Sequence, residues 1–288
     1  MGLAEWLARG PLVADGAWGT ELQARGLDAG ECPDAWNLKH PDKVLEVAAA
    51  YVAAGSQVIL TNTFRSNRVT LAGHGLADET VAINRAGARL SLEAARGRAL
   101  VFASIGPSGK MLLTGEATEE QLFSAFQEQA GALASAGVDA LLIETMSDIE
   151  EARIALRAAR STGLPVIVSF AFDTGKNKDR TMMGSTPEQV AAAMAEAGAD
   201  GVGANCGVGI SAAVALCKRL RAACSLPLWV KPNAGLPEMV EGVVTYRTGA
   251  EEFAARAPEL VAAGASFVGG CCGSDPGFIR AVAMGLAS

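Results

Sequence analysis

A single (β/α)8 barrel spanning residues 1–288 is the fold the sequence predicts, from three observations. Short, nearly all-apolar runs alternate with longer stretches rich in Ala, Leu, Glu and Arg, the pattern of a parallel sheet whose two faces are both covered. Eight strand–helix units fit in 288 residues, which suits a closed barrel better than the competing open, doubly wound sheet. No Gly-x-Gly-x-x-Gly turn follows the first apolar run, so a dinucleotide-binding sheet lacks its phosphate-cradling turn.

The strands fall at 11–15, 57–61, 99–104, 140–143, 166–170, 201–204, 228–231 and 266–269. Helical spacing fills the gaps, for example at 118–136, 148–161, 187–197, 210–223 and 250–263. Helix starts are punctuated at Asp148 and at Thr186-Pro187-Glu188-Gln189, where a side-chain oxygen can cap free N–H groups and proline fits the first turn. Gly55, Gly137, Gly163, Gly198 and Gly264 each follow a helical stretch, where a left-handed residue ends a helix. In a barrel, residues just past the strand ends converge on one face and build the site. Asp15, Thr63, Glu144, Asn205, Cys206, Asn233, Cys271 and Cys272 all fall there.

Half of the residues are hydrophobic and 19% are charged, ample for a large core. The net charge of −7, mixed along the helices, argues against nucleic acid or an anionic membrane surface as partner. No apolar stretch is long enough to span a bilayer, and the N-terminus lacks the basic-then-apolar pattern of a secretion signal. Six cysteines without such a signal point to a reducing cytoplasm, where thiols serve metals or cores. Cys217 and Cys224, seven apart in one helical stretch, are expected to face the core together, and Cys32 is assigned no role. His40 precedes a proline and is expected where a helix begins; His74 lies in a Gly-His-Gly loop. Neither has the partner a hydrolase triad needs.

Cys206 lies in Gly203-Ala204-Asn205-Cys206-Gly207, and Cys271 and Cys272 in Gly269-Gly270-Cys271-Cys272-Gly273. Neighbouring residues on a regular strand point to opposite faces, so both cysteines of the pair reach one ion only if the strand breaks. The flanking glycines allow that break. Three thiolates with one position left open form a catalytic zinc site. The ion would carry a net charge of −1 with its ligands and suits holding a further thiolate, releasing its proton near neutral pH. Cysteines also serve as small buried hydrophobes, but a glycine-flanked pair with a distant third favours the metal.

With Asp15-Gly16-Ala17-Trp18-Gly19-Thr20-Glu21-Leu22, Thr61-Asn62-Thr63-Phe64 and Ile143-Glu144-Thr145, these cysteine motifs occur in an order that resembles the homocysteine S-methyltransferase family across essentially the whole chain. That family includes the homocysteine-binding barrel of cobalamin-dependent methionine synthase, betaine–homocysteine methyltransferases and S-methylmethionine-dependent enzymes. The resemblance implies a (β/α)8 barrel with catalytic Zn2+ on Cys206, Cys271 and Cys272. It also implies homocysteine binding by Asp15, Gly16, Ala17 and Glu144; Thr63, Asn205 and Asn233 are weaker substrate-binding candidates from their strand-end positions alone. The expected reaction is methyl transfer to the homocysteine thiol to give methionine.

A buried acid such as Glu144 calls for a cationic partner, and a substrate ammonium is one; the N–H groups of Gly16 and Ala17 could face the carboxylate. The donor is either a small sulfonium or methylated compound, or a methyl group delivered by a separate corrinoid protein. The position after Glu144 is Thr145 where betaine enzymes typically have tyrosine, and only 5% of the residues are aromatic, a poor supply for a quaternary-ammonium cage. The charged loop 172–185 lies on the same face and is expected to be a solvated connection, with donor covering or partner contact as the other role. Three readings compete: the same zinc barrel in corrinoid-dependent demethylation or with another thiol acceptor; an aldolase-type lyase with structural cysteines, for which Lys231 is the strand-end lysine; and a non-catalytic zinc-binding subunit.

Overall fold

The structure is a computed structural model that describes residues 2–236, 238–240 and 243–287. Eight parallel strands make one sheet: β1 (Leu12–Val13), β2 (Val58–Leu60), β3 (Leu100–Ile105), β4 (Ala140–Met146), β5 (Val166–Phe170), β6 (Gly201–Gly209), β7 (Leu228–Asn233) and β8 (Ala265–Val268). Each pairs with its neighbour from β2 through β8, and β8 pairs with β1. A parallel bridge between Ala14 and Val58 brings β1 against β2 and completes the ring. The principal helices are α1 (Pro41–Ala54), α2 (Thr80–Ala95), α3 (Glu119–Ser135), α4 (Ile149–Arg160), α5 (Pro187–Glu196), α6 (Ile210–Ala223), α7 (Ala250–Ala262) and α8 (Pro276–Ala287). Among the described residues no helix is long and apolar enough to cross a membrane.

The helix ends follow the local chemistry. Asp148 accepts from the Glu150 N–H at 2.9 Å, and Thr186 and Gln189 cap each other reciprocally. The five helix-end glycines have φ between 76° and 103°. His40 stands at the N-cap of α1, and Cys32 packs with Ala35, Leu71 and Ile83. Cys217 and Cys224 both pack on the main core, Cys217 fully buried and Cys224 partly; α6 stops at Ala223, so Cys224 is its extended C-cap, with φ −153°, and the Cys217 Sγ lies 3.6 Å from the Ala263 carbonyl.

Strand periodicity separates two cores. One parity (Val13, Ile59, Val101, Leu141, Val168, Val230) packs under the helices; the other fills the lumen. The lower lumen is closed by Trp6, Phe102, Trp229 and Phe267, whose contacting rings lie 5.3 to 5.9 Å apart. Burying each such ring contributes about 2–3 kcal/mol. Two residues further along the same strands the lumen turns polar. Ser104 follows Phe102, Glu144 follows Leu142, Ser169 follows Ile167 and Lys231 follows Trp229, and all four polar residues are buried. The site stands on this polar layer.

Two features lie beyond the strand count. β6 runs to Gly209, five residues past its predicted end at 204, and carries Asn205 and Cys206 outward. A hairpin of Glu238–Val240 with Val243–Thr245 joins β7 to α7. The charged loop after β5 is folded back on itself: Thr174 pairs with Arg180, while Arg219 of α6 holds Asp179 and Glu188 at 2.6 Å each.

Candidate active site and metal centre

Strand breaks bring the three thiols together. β6 and β7 pair in register as far as Asn205 and Lys231, then slip before Gly209 and Asn233. At the slip Cys206 adopts φ +58° and Gly207 φ +71°. A Cβ on residue 207 would lie 2.4 Å from the Phe172 carbonyl oxygen, so only glycine fits this turn. A non-glycine residue held left-handed costs on the order of 1–3 kcal/mol, and here that conformation aims the Cys206 thiol across the mouth. The chain after β8 also leaves strand geometry. The Cys271 N–H donates to the Pro232 carbonyl at 2.7 Å, and the Ser274 N–H turns back to the Cys271 carbonyl at 3.0 Å. Gly273 follows with φ +82°, so the adjacent cysteines sit in a turn and face one point.

Cys206 Sγ lies 2.7 Å from Cys271 Sγ and 3.8 Å from Cys272 Sγ, and all three sulfurs lie within 4.8 Å of one another. Thiolates 2.3 Å from a tetrahedral zinc would stand about 3.8 Å apart. The Cys206–Cys272 separation meets that, and the Cys206–Cys271 contact would open by about 1 Å. Beside them is Asn233, whose Oδ1 is buried without a hydrogen-bond partner. Its chain neighbours Pro232 and Ala234 bond to Cys271 and Cys272. Three thiols within 4.8 Å of one another are the donor set of a soft cation, and these residues fit zinc.

The thiols titrate as a unit. S–H donation from Cys206 and Cys271 holds Cys272 down at about 3. Cys271 is raised by donating to Cys206 and Cys272. Cys206 is raised as well, the lowering bond from Cys271 being outweighed by its bond to Cys272 and by burial. Tyr246, just past the hairpin, also lowers Cys272. Its ring leaves no room for a Cβ at Gly273, which would fall 2.4 Å from it. Sequence reasoning missed Tyr246, because nothing local distinguishes a tyrosine after a hairpin from a packing residue.

Glu144 rises from β4 into the mouth with 7% of its surface exposed. Burial raises its pKa, partly offset by the Lys231 charge and by the Ser104 hydroxyl, which donates to it at 2.5 Å. Asp15 has no exposed surface and three protein donors: Lys231 Nζ at 2.5 Å, with Trp18 Nε1 and the Leu60 N–H at 2.8 Å each.

Three expected ligand-facing groups are spent on the protein itself. The Ala17 N–H donates to the Ser274 carbonyl at 2.9 Å, which corrects its expected role toward a substrate carboxylate; the neighbouring Gly16 N–H has no protein acceptor among the described residues. The Thr63 hydroxyl contacts Thr61 and the Ser104 carbonyl, and so ties the β2 end to β3. The Asp15 carboxylate is filled as described.

Asn205 works on the backbone. Its Oδ1 accepts from the Thr145 N–H at 2.9 Å and the Ser169 hydroxyl at 2.7 Å, while its Nδ2 donates to the Thr145 hydroxyl at 2.6 Å. Asn205 immediately precedes Cys206 in sequence, and its clamp holds Thr145 at φ +61°, directly after Glu144. Asn205→Ala is expected to lower stability by about 2–4 kcal/mol through the loss of three hydrogen bonds, one buried and two part-buried, and to weaken zinc binding. An unchanged urea midpoint would show the clamp to be dispensable.

Lys231 Nζ is held by Asp15 at 2.5 Å; burial alone would lower its pKa, but the Asp15 and Glu144 carboxylates raise it, which disfavours the free amine a Schiff base needs.

The chain matches the homocysteine S-methyltransferase family over residues 12–286. It is 30% identical to methionine synthase of Mycobacterium leprae over 99% of its own length, but spans only 25% of that protein. It is 30% identical to betaine–homocysteine S-methyltransferase 1 of Danio rerio, covering all of this chain and 76% of the relative. The fold is shared with the metallated form of the homocysteine methyltransferase MmuM from Escherichia coli, with TM-score 0.82 and 24% identity over 98% of this chain and 99% of that one. With a match running from β1 into the last helix, the chain belongs to the homocysteine S-methyltransferase family of enzymes.

Proposed function

We propose that this chain methylates the thiol of homocysteine to give methionine, using Zn2+ held by Cys206, Cys271 and Cys272, and that residues 1–288 act as one homocysteine-binding barrel. The observation that carries the reading is the convergence of three sulfurs within 4.8 Å at the strand ends, beside the partly open carboxylate of Glu144. Bound zinc would supply a Lewis acid that keeps an acceptor thiol deprotonated at neutral pH. Glu144 fixes the acceptor's ammonium, Gly16 offers its N–H to the carboxylate, and Asn205 with Tyr246 keeps the thiols aimed. A deprotonated sulfur so oriented needs no general base to attack an activated methyl group. The six cysteines are all free thiols, which suits a reducing compartment such as the cytoplasm.

The rim bears on the donor. Met111 and Leu113 after β3, Met182 and Met183 after β5, and Leu236 and Met239 after β7 are exposed by 37 to 81%. An apolar margin around a barrel mouth favours a methyl group presented by a second protein, such as a methyl-corrinoid carrier, over a free quaternary ammonium. The test offers zinc-loaded protein homocysteine with S-methylmethionine, S-adenosylmethionine, betaine, a dimethylsulfonium compound or methylcobalamin in turn. Methionine is expected from methylcobalamin. Methionine from betaine alone would overturn the donor reading, and none from any of these, nor from a methylated corrinoid protein added in their place, would overturn the proposed reaction.

A further inference from the structure

The segment after β7 reaches back to the thiol cluster. The Ala234 N–H donates to the Cys272 carbonyl at 3.0 Å, and the Thr248 N–H donates to the Ala234 carbonyl at 3.1 Å. Two backbone bonds thus tie the chain leaving the hairpin to the turn that carries Cys272. Tyr246, two residues before Thr248 and half-buried, lays its ring on Gly273, where a Cβ would fall 2.4 Å from both Cγ and Cδ2. The chain next to Cys272 is therefore shaped to receive this ring. Cys206 and Cys271 face each other at 2.7 Å, whereas Cys272 stands 3.8 Å from Cys206. Hydrogen bonding with Cys206 and Cys271, and then with Tyr246, lowers Cys272, and a phenol is an O–H donor at neutral pH.

We propose that Tyr246 withholds Cys272 from the methyl donor: its hydroxyl, held over the Cys272-Gly273 turn, engages a lone pair of the zinc-bound sulfur and leaves the acceptor thiolate the better nucleophile. Three resident thiolates and one acceptor thiolate would share the ion. A methyl group placed on a resident sulfur turns an anionic ligand into a neutral thioether and disables the site. A thiolate loses nucleophilicity as it is stabilised, so a hydrogen bond on Cys272 guards the cluster without weakening the acceptor. Tyr246 acts through Cys272 and is a positioning residue. The inference rests on zinc at the three cysteines and holds for any acceptor thiol.

The test offers iodomethane to zinc-loaded protein in the absence of any acceptor thiol. The Cys272 sulfur attacks the methyl carbon, an S–C bond forms, and iodide leaves with the electron pair of the broken C–I bond. Peptide mass spectrometry follows the initial rate of methylation at Cys206, Cys271, Cys272 and the core thiol Cys217. Tyr246→Phe keeps the ring on Gly273 and removes the hydroxyl alone. It should speed methylation of Cys272 about three- to tenfold, the effect of losing roughly half the strength of a hydrogen bond to a charged group. The zinc content before the reagent is added and the rate at Cys206 should not change. A Cys272 rate equal to wild type would overturn the proposal. So would an equal rise at Cys206, which would mean that the substitution merely opens the mouth, or a Tyr246→Phe protein that holds no zinc, which would make the role structural. A wild type that binds no zinc overturns the metal reading and this inference with it; a failure confined to the variant leaves that reading standing.

Discussion

Cys272→Ala should strip the protein of zinc and abolish methionine formation. Loss of an outer-shell partner already lowers metal affinity about 10–100-fold; loss of one thiolate in three should exceed that. The remaining sulfurs, Cys206 and Cys271, lie 2.7 Å apart and would face the ion with one thiolate fewer. Cys272 is also the sulfur that its two neighbours and Tyr246 hold ionised, so its removal takes away the anion around which the others are arranged. Metal analysis after dialysis against a weak chelator provides the check, with Cys217→Ala as a control, since that thiol faces the Leu260 and Ala263 carbonyls in the helical layer. One zinc per chain retained by Cys272→Ala would remove the metal site from the account.

The barrel and the thiol trio were legible in the sequence because each is written locally. Apolar runs mark strands, glycines mark the returns from helix to strand, and a cysteine pair between glycines marks a broken strand end. β5 and α6 have the bounds the sequence predicts. What was not legible depends on where separate strand ends meet. Asp15 and Lys231 are 216 residues apart in sequence, and nothing in either neighbourhood shows that the two charges satisfy each other. Ala17 looked free until the Ser274 carbonyl was found against its N–H. Asn205 reads as a ligand candidate at a strand end, yet its three bonds go to Thr145 and Ser169. The extension of β6 escaped because Gly207 and Gly209 look like a terminus, although the ladder resumes at Gly209 after its slip.

Lys231→Met should be among the most destabilising single substitutions in the barrel. Methionine has the length to fill the lysine's channel, so the loss is electrostatic: Asp15, without exposed surface, is left a buried anion with only two N–H donors. Removing one partner of a buried pair costs about 3–5 kcal/mol, which in a protein of this size lowers the melting temperature on the order of 10 °C. An exposed pair gives the contrast. Arg68 and Glu128, 2.8 Å apart with side chains 44% and 26% exposed, should change stability by at most about 1 kcal/mol when broken. Asp15→Asn added to Lys231→Met should recover most of the loss, because the asparagine oxygen can still accept from Trp18 and Leu60 while no charge remains to be solvated. A Lys231→Met protein melting close to wild type would mean that water or another cation reaches Asp15. The same opening would admit a substrate ammonium there.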